Sequence, residues 1–213
     1  TLLTSENLVL KEKKIGLSIS DPTEEELVLI GHSEKHLTQL AQDFARHFIA
    51  HNATLIYGGD LRPDGFTEFI FEEAQAIKCR LQLNEKPNIK NYISWPIYNA
   101  DTEQIKRWKA KYLFTAEMLE QKPAEDVSDL IPSEKYFLPP INTENLFVWG
   151  RCLTEMREKM IKDCDIRICV GGRHSGYKGL MPGVLEEIII AINQKCPVFL
   201  LGGFGGVSSS VCR

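Results

Sequence analysis

Short apolar runs, stopped by glycine or by small polar residues, alternate along this chain with longer stretches of helical spacing. Ile15-Gly16-Leu17-Ser18-Ile19-Ser20 is the first such run, and it halts at Asp21-Pro22 as a buried strand does. From His36 to Ala50 apolar residues recur at positions 37, 40, 41, 44, 45 and 48, which predicts a helix, with Ser33 placed to start it. Ala53 to Tyr57 predicts a second strand, cut off by Gly58-Gly59-Asp60, and a helix follows from Phe66 to Lys78. Tyr92 to Tyr98 reads as a third strand, whose Pro96 belongs at an edge or a bulge. Thr102 to Leu119 has helical spacing, with Trp108, Tyr112 and Leu119 available for packing, and Pro123 to Pro140 reads as a surface excursion. Leu146 to Lys162 is helical again, and Ile166 to Val170 is a strand ended by Gly171-Gly172. Val184 to Ile192 is a strongly apolar helix, and Pro197 to Leu201 is a last strand ended by Gly202-Gly203-Phe204-Gly205-Gly206.

Strands alternating with helices predict an α/β fold of the Rossmann-like, doubly wound type: a mainly parallel sheet with helices on both faces. Residues 1–14 are polar and lysine-rich and read as a linker or domain-entry segment. Residues 15–213 read as a single nucleotide-binding domain with an irregular insertion at about 101–145. A domain of 213 residues buries roughly 70% of its unfolded surface and needs no disulfide or metal to fold. The chain starts at Thr1 and stops just after a glycine-rich loop, which suggests a piece of a longer polypeptide.

Composition narrows the function classes. A net charge of −4 and the lack of a basic stripe argue against DNA as partner. The six cysteines form no CxxC pair and no histidine sits at zinc-ligand spacing from them, so reduced thiols, no metal and a cytoplasmic location are expected. With no signal peptide and no long apolar span, no membrane contact is expected of this domain.

The carboxyl ends of parallel strands gather at one rim, and ligands bind there. Candidate ligand contacts are Ser18 and Ser20 at the first strand end and Gly58, Gly59, Asp60 and Arg62 after the second. Gly171, Gly172, Arg173, Lys178, Gly183, Val184 and Glu187 follow the penultimate strand, and Gly203 and Phe204 follow the last. Glycine lets backbone N–H groups approach phosphate oxygens, and helix N-termini add partial positive charge.

The order of Arg157, the strand Asp165 to Val170, Gly171-Gly172 and Pro182-Gly183-Val184-Leu185-Glu186-Glu187 resembles the SLOG superfamily, which includes the LONELY GUY nucleotide phosphoribohydrolases and the DprA-like DNA-processing proteins. Arg157 stands for the motif arginine, Gly171 and Gly172 for its paired glycines, Gly183 for its third glycine and Glu187 for its glutamate. Two features depart from the enzymes: an insertion from Arg173 to Pro182 separates the glycines, and Val184 replaces the motif threonine. The variant is closer in type to SLOG domains of bacterial antiphage effectors, linked to TIR or sirtuin-like domains, that bind cyclic ADP-ribose-like signals.

That resemblance implies a sensor for a nucleotide-derived second messenger that works by homo-oligomerisation on an attached effector, with no cofactor and no catalysis of its own. The alternative is a hydrolase of N-glycosidic bonds in which Arg157 and Glu187 are catalytic; a DNA adaptor of the DprA kind is a weaker third reading. Bland readings stand beside the sharp ones. Gly58-Gly59 is also ordinary turn chemistry, and Arg157 with Glu155 and Glu158 near it fits a solvated helix face. Arg173 and Lys178 fit ordinary loop charges as well as a grip on one pyrophosphate, in which case the segment 173–179 is expected to be mobile until ligand orders it. The histidines around the first helix read as surface residues, and Trp95, Trp108 and Trp149 as core or domain-contact residues.

Overall fold

Along Lys14–Ser20, the first strand (β1), side-chain parity decides how the sheet is covered. Ile15, Leu17 and Ile19 face one side and enter the main core, while Gly16 and Ser18 face the other. The computed structural model describes residues 9–59, 61–83, 86–99, 102–133 and 137–213. The other strands are β2 (Thr54–Tyr57), β3 (Ile89–Ile93), β4 (Ala116–Glu120), β5 (Ile166–Gly171) and β6 (Val198–Leu201). They form one six-stranded sheet in the order β4-β3-β2-β1-β5-β6, with every neighbouring pair parallel. The strand order reverses between β1 and β5, whose register sets Ser20 opposite Gly171.

The helices are α1 (Glu24–Leu29), α2 (Glu34–Ala50), α3 (Phe66–Leu81), α4 (Trp95–Tyr98), α5 (Thr102–Lys111), α6 (Thr143–Lys162), α7 (Gly183–Asn193) and α8 (Gly206–Val211). Leu37, Ala41, Ala45 and Ile49 of α2, Ile70 and Phe71 of α3, Trp108 of α5 and Tyr112 just after it close over the Ile15/Leu17 side. Met156 and Met160 of α6 and Ile190 and Ala191 of α7 pack with Ile56 and Tyr92 on the opposite side. Doubly wound packing of a parallel sheet, expected from the alternation of elements, is therefore what the chain adopts. Local chemistry starts several helices. Thr23 and Glu26 form a reciprocal capping box on α1, Ser33 and His36 do the same for α2, and the Asn142 side chain accepts the Asn145 N–H of α6 at 2.8 Å.

Some elements differ from the sequence reading. The third strand lies at Ile89–Ile93, and Trp95–Tyr98 is a short helix with Pro96 in its first turn, where proline's missing N–H is harmless. The spacing over Thr102 to Leu119 covers two elements, α5 and the strand β4. The stretch 101–145 thus carries regular structure, with a 3-10 turn at Glu125–Leu130 whose Val127 is buried. Lys14, placed in the linker by sequence, begins β1, and Leu10 packs against the core. Helices α1 and α8 have no counterpart in the sequence reading. All six cysteines are unpaired. Among the described residues no helix is long and apolar enough to cross a membrane, and no group of three His, Cys, Asp or Glu side chains could hold a metal ion.

Candidate functional site

Beneath the β1–β5 reversal lies a buried ionic cluster, centred on a residue that the sequence reading passed over. Arg167, the second residue of β5, is completely buried. Its side chain crosses to β1 over Gly16, which has no side chain to block it. A Cβ on Gly16 would stand 2.7 Å from the Arg167 Cδ and Nη1 atoms. Arg167 Nε donates to Ser18 Oγ at 2.8 Å and Nη2 donates to Glu187 of α7; the Ser18 hydroxyl donates to the same carboxylate. From α6, Arg157 Nη1 donates to Glu186, which also accepts from Thr154 Oγ1. Arg157 Nε lies 3.4 Å from Glu187 Oε1, an ion pair whose geometry makes no hydrogen bond.

Two arginines and two glutamates thus neutralise one another. Burial works against the Glu187 charge, but Arg167, Arg157 and the two hydrogen bonds outweigh it and hold the carboxyl below its ordinary range. Burial likewise opposes the charge on Arg167, and Glu187 more than restores it. Four elements meet here: β1, β5, α6 and α7.

Above this floor is the rim. Gly171 and Gly172 have φ of +64° and +104°, in the left-handed region, and a Cβ on Gly171 would collide with the Ser20 carbonyl. That carbonyl accepts the Gly172 N–H at 2.8 Å, and the Gly172 carbonyl accepts the Val207 N–H at 3.0 Å, which draws α8 onto the end of β5. Pro182 precedes α7 and supplies no capping side chain. The α7 N-terminus therefore presents Gly183 beside Arg157, whose Nη2 would lie 2.7 Å from a Cβ at that glycine. Several buried side-chain atoms have no hydrogen-bond partner among the described residues. They include Asp21 Oδ1 after β1, Ser94 Oγ after β3, Arg157 Nε under Gly183 and Ser208 Oγ in α8.

The structure sorts the sequence-selected residues. Ser18, Arg157, Gly183 and Glu187 come together in the floor and at its edge; Ser20, Gly171 and Gly172 form the rim. Val184 joins Cys169, Ile188 and Val207 in a small apolar cluster, so its side chain fills core. Gly59 donates its N–H to Asn91 Oδ1 at 3.2 Å, so that amide is already engaged, and Gly58 packs over Met160 and Met156. Asp60 lies outside the described residues. Arg62 and Arg173 are exposed and both act on Asp21. Lys178 instead sits 4.9 Å from the centre of the Trp149 ring, against α6. The inserted loop is tethered at both ends: His174 reaches Glu26 at 3.5 Å, and Leu180 seats against Gly150 of α6. Phe204 stacks on His32 with ring centroids 5.1 Å apart, while Gly203 is exposed.

Sequence reasoning missed Arg167, Asp21, Glu186 and Asn91 as parts of this region. The available signal was parity: a lone arginine in Ile166-Arg167-Ile168-Cys169-Val170, opposite Gly16 and Ser18, has to find a buried counter-charge.

A separate cleft of about 580 Å³ lies at the opposite, amino ends of β5 and β6, beside Cys164, Asp165, Lys195 and Cys196. Burial pushes the Cys164 thiol up to about 11, which keeps it protonated and unreactive. The glycine turns and the uncapped α7 terminus belong to the carboxyl rim, which makes that rim, and not the cleft, the candidate site.

Comparison with known proteins agrees with this architecture. The X-ray structure of TM1055, a Northeast Structural Genomics Consortium target, superposes with a TM-score of 0.51 at 14% sequence identity, over 93% of this chain and 79% of that one. Such a likeness speaks to the fold alone. No curated protein matches the chain in sequence. A family model described as SLOG cluster2 matches residues 9–213, and the protein is accordingly a member of the SLOG cluster2 family.

Proposed function

We propose that the domain is a sensor that binds a nucleotide-derived messenger of the cyclic ADP-ribose type at the carboxyl rim and, through occupancy, changes how copies associate and how a joined effector works. The observation that carries this reading is the state of Glu187. In a hydrolase of the LONELY GUY type this glutamate would have to face substrate. Here one oxygen of the Glu187 carboxylate, Oε2, accepts from Arg167 and Ser18, the other lies 3.4 Å from Arg157 Nε, and the side chain is buried between α7 and the sheet. An internally neutralised carboxylate is a poor general base, because taking a proton breaks a buried ion pair. The uncapped α7 N-terminus, with the Arg157 Nη2 edge beside Gly183, supplies donors for a phosphate. Regulation needs a ligand that prefers one of two arrangements, and the inserted loop, tethered to α1 on one side and α6 on the other, is the element whose position a bound phosphate would change.

Calorimetry with ADP-ribose and cyclic ADP-ribose, run beside chromatography of AMP incubated with the protein, tests the proposal. Binding with no release of free base is expected, and Arg157→Ala should weaken binding by about 1.5–3 kcal/mol. Enzyme-like accumulation of base, abolished in Glu187→Gln, would establish the hydrolase reading instead.

A further inference from the structure

Helix α2 ends in a pair of histidines that the sheet and its rim do not use. His47 and His51 stand one helical turn apart, and their ring centroids are 4.3 Å from each other. The turn that carries them is fixed. The Ala53 N–H reaches back to the Phe48 carbonyl at 2.9 Å, and Asn52 takes the left-handed conformation, with φ of +56°, that closes the helix. His51 Nδ1 lies 2.7 Å from the His47 carbonyl. A carbonyl only accepts, so Nδ1 carries the proton of the neutral ring and Nε2 keeps a free lone pair. Partial burial and the neighbouring His51 hold His47 below the ordinary imidazole range, which keeps that ring neutral too. The same spacing occurs at His32 and His36, where it serves the fold. His36 Nδ1 accepts the Ser33 N–H at 3.0 Å, which puts the ring proton on its other nitrogen, and the His32 ring stacks on Phe204. At the far end of α2, one lone pair of each ring is left over among the described residues.

We infer that His47 and His51 form a binding site for a divalent transition-metal ion that takes nitrogen ligands at right angles, Ni²⁺ or Cu²⁺. Neutral imidazole is the commonest side-chain ligand for such ions, and a ligating histidine ordinarily donates its second N–H to a carbonyl or carboxylate, as His51 does. An ion about 2 Å from one nitrogen of each ring stands about 3 Å from each centroid, so a separation of 4.3 Å subtends roughly a right angle. Neighbouring corners of a square or an octahedron meet at that angle, whereas the tetrahedron that suits Zn²⁺ opens wider. The carboxyl end of a 17-residue helix adds partial negative charge, which favours a cation. No third His, Cys, Asp or Glu completes the set among the described residues, so water fills the remaining positions and the ion stays exchangeable. The pair lies where α2 leads into the amino end of β2, away from the carboxyl rim, and the assignment does not rest on the nucleotide-binding reading.

The test is calorimetric titration of the 213-residue chain, its accessible thiols first alkylated with iodoacetamide, with NiCl2, ZnCl2 and MgCl2, together with thermal melting with and without Ni²⁺. Ni²⁺ should bind at a single site in the micromolar range and more tightly than Zn²⁺, and Mg²⁺, which seeks oxygen, should not bind. His47→Ala and His51→Ala should each weaken Ni²⁺ binding by about tenfold or more and remove the rise in melting temperature that Ni²⁺ gives the wild type. His47 is exposed, so its replacement tests the site without touching the core. His36→Ala should lower the melting temperature through loss of the cap and leave Ni²⁺ binding intact. Undiminished Ni²⁺ binding in His47→Ala and His51→Ala, or a wild type that prefers Zn²⁺, would overturn the assignment. Loss of Ni²⁺ binding in His36→Ala would move the ion to the other pair and overturn it as well.

Discussion

Two carboxylates anchor this sheet from opposite ends, and they do so in different solvents. Asp163, just after α6, receives Lys14 at 2.6 Å, Lys90 at 2.9 Å and the Tyr92 hydroxyl at 3.0 Å, which ties β1 and β3 to the helix. Lys14 and Lys90 remain partly in water, at 43% and 30% side-chain exposure. Glu187, below the other end, draws on Arg167 and Ser18, with no comparable access to water. The charge count is similar and the energetics are not. Screening makes the Asp163 hub forgiving, because water takes over when a partner is lost. The Glu187 cluster cannot be relaxed by water, so each of its members depends on all the others.

That contrast is broken most forcefully by removing one side of the buried pair. Arg167→Met or Glu187→Gln should each lower stability by about 3–5 kcal/mol in urea or thermal unfolding, since an uncompensated charge or a stranded carboxamide remains. The double replacement Arg167→Met with Glu187→Met should recover most of that loss. Simple addition of the single effects would mean that the two residues are not coupled. Next in size is Gly16→Ala. A methyl group 2.7 Å from the Arg167 stem and the Cys164 sulfur must push the guanidinium out of register, at a cost of about 1–3 kcal/mol. An unchanged melting temperature would show that the arginine has another path to Glu187.

The smallest effect belongs to Asp163→Asn, about 1–2 kcal/mol at neutral pH. Its pH dependence sharpens the comparison. Burial opposes the Asp163 charge, but Lys14, Lys90 and Tyr92 overcome it, so this carboxyl, like Glu187, titrates below its ordinary range in the folded protein. Stability from both groups is present above about pH 4 and drains as the pH falls through the folded-state values. Denaturant titrations between neutral and acid pH should show a flatter acid limb in Asp163→Asn than in the wild type. Superimposable limbs would mean that the hub is unperturbed.

Much of the scaffold was legible because helical spacing and glycine stops are local signals. The strands beginning at 14, 54, 166 and 198 and the helix opened by Ser33 follow from such signals to within a residue. The boundary between α5 and β4 was not legible, because Tyr112-Leu113-Phe114-Thr115 turns without glycine or proline, and the pairing that makes 116–120 a strand comes from β3. Helix α8 hides in Ser208-Ser209-Ser210, a run with modest helix propensity that forms where the Gly172 carbonyl receives the Val207 N–H. At the candidate site, glycines and the Arg157/Glu187 pair carried a sequence pattern. The role of Arg167 did not, because its partners Ser18 and Glu187 lie 149 and 20 positions away and only the folded sheet brings them together.

The seam between β1 and β5 also sets an order of assembly. Lys14 N–H bonds to Asp165, 151 positions later in the chain, and the Ser20–Gly171 register completes the rim. During synthesis one backbone edge of β1 therefore stays unpaired until β5 emerges to cover it. Pairings between such distant segments form slowly because a long loop must close first. The rim and its buried charges therefore need both strands and come into being together once β5 has paired with β1. A newborn chain that has finished only its first four strands is exposed to mispairing along the very edge on which the completed protein builds its site.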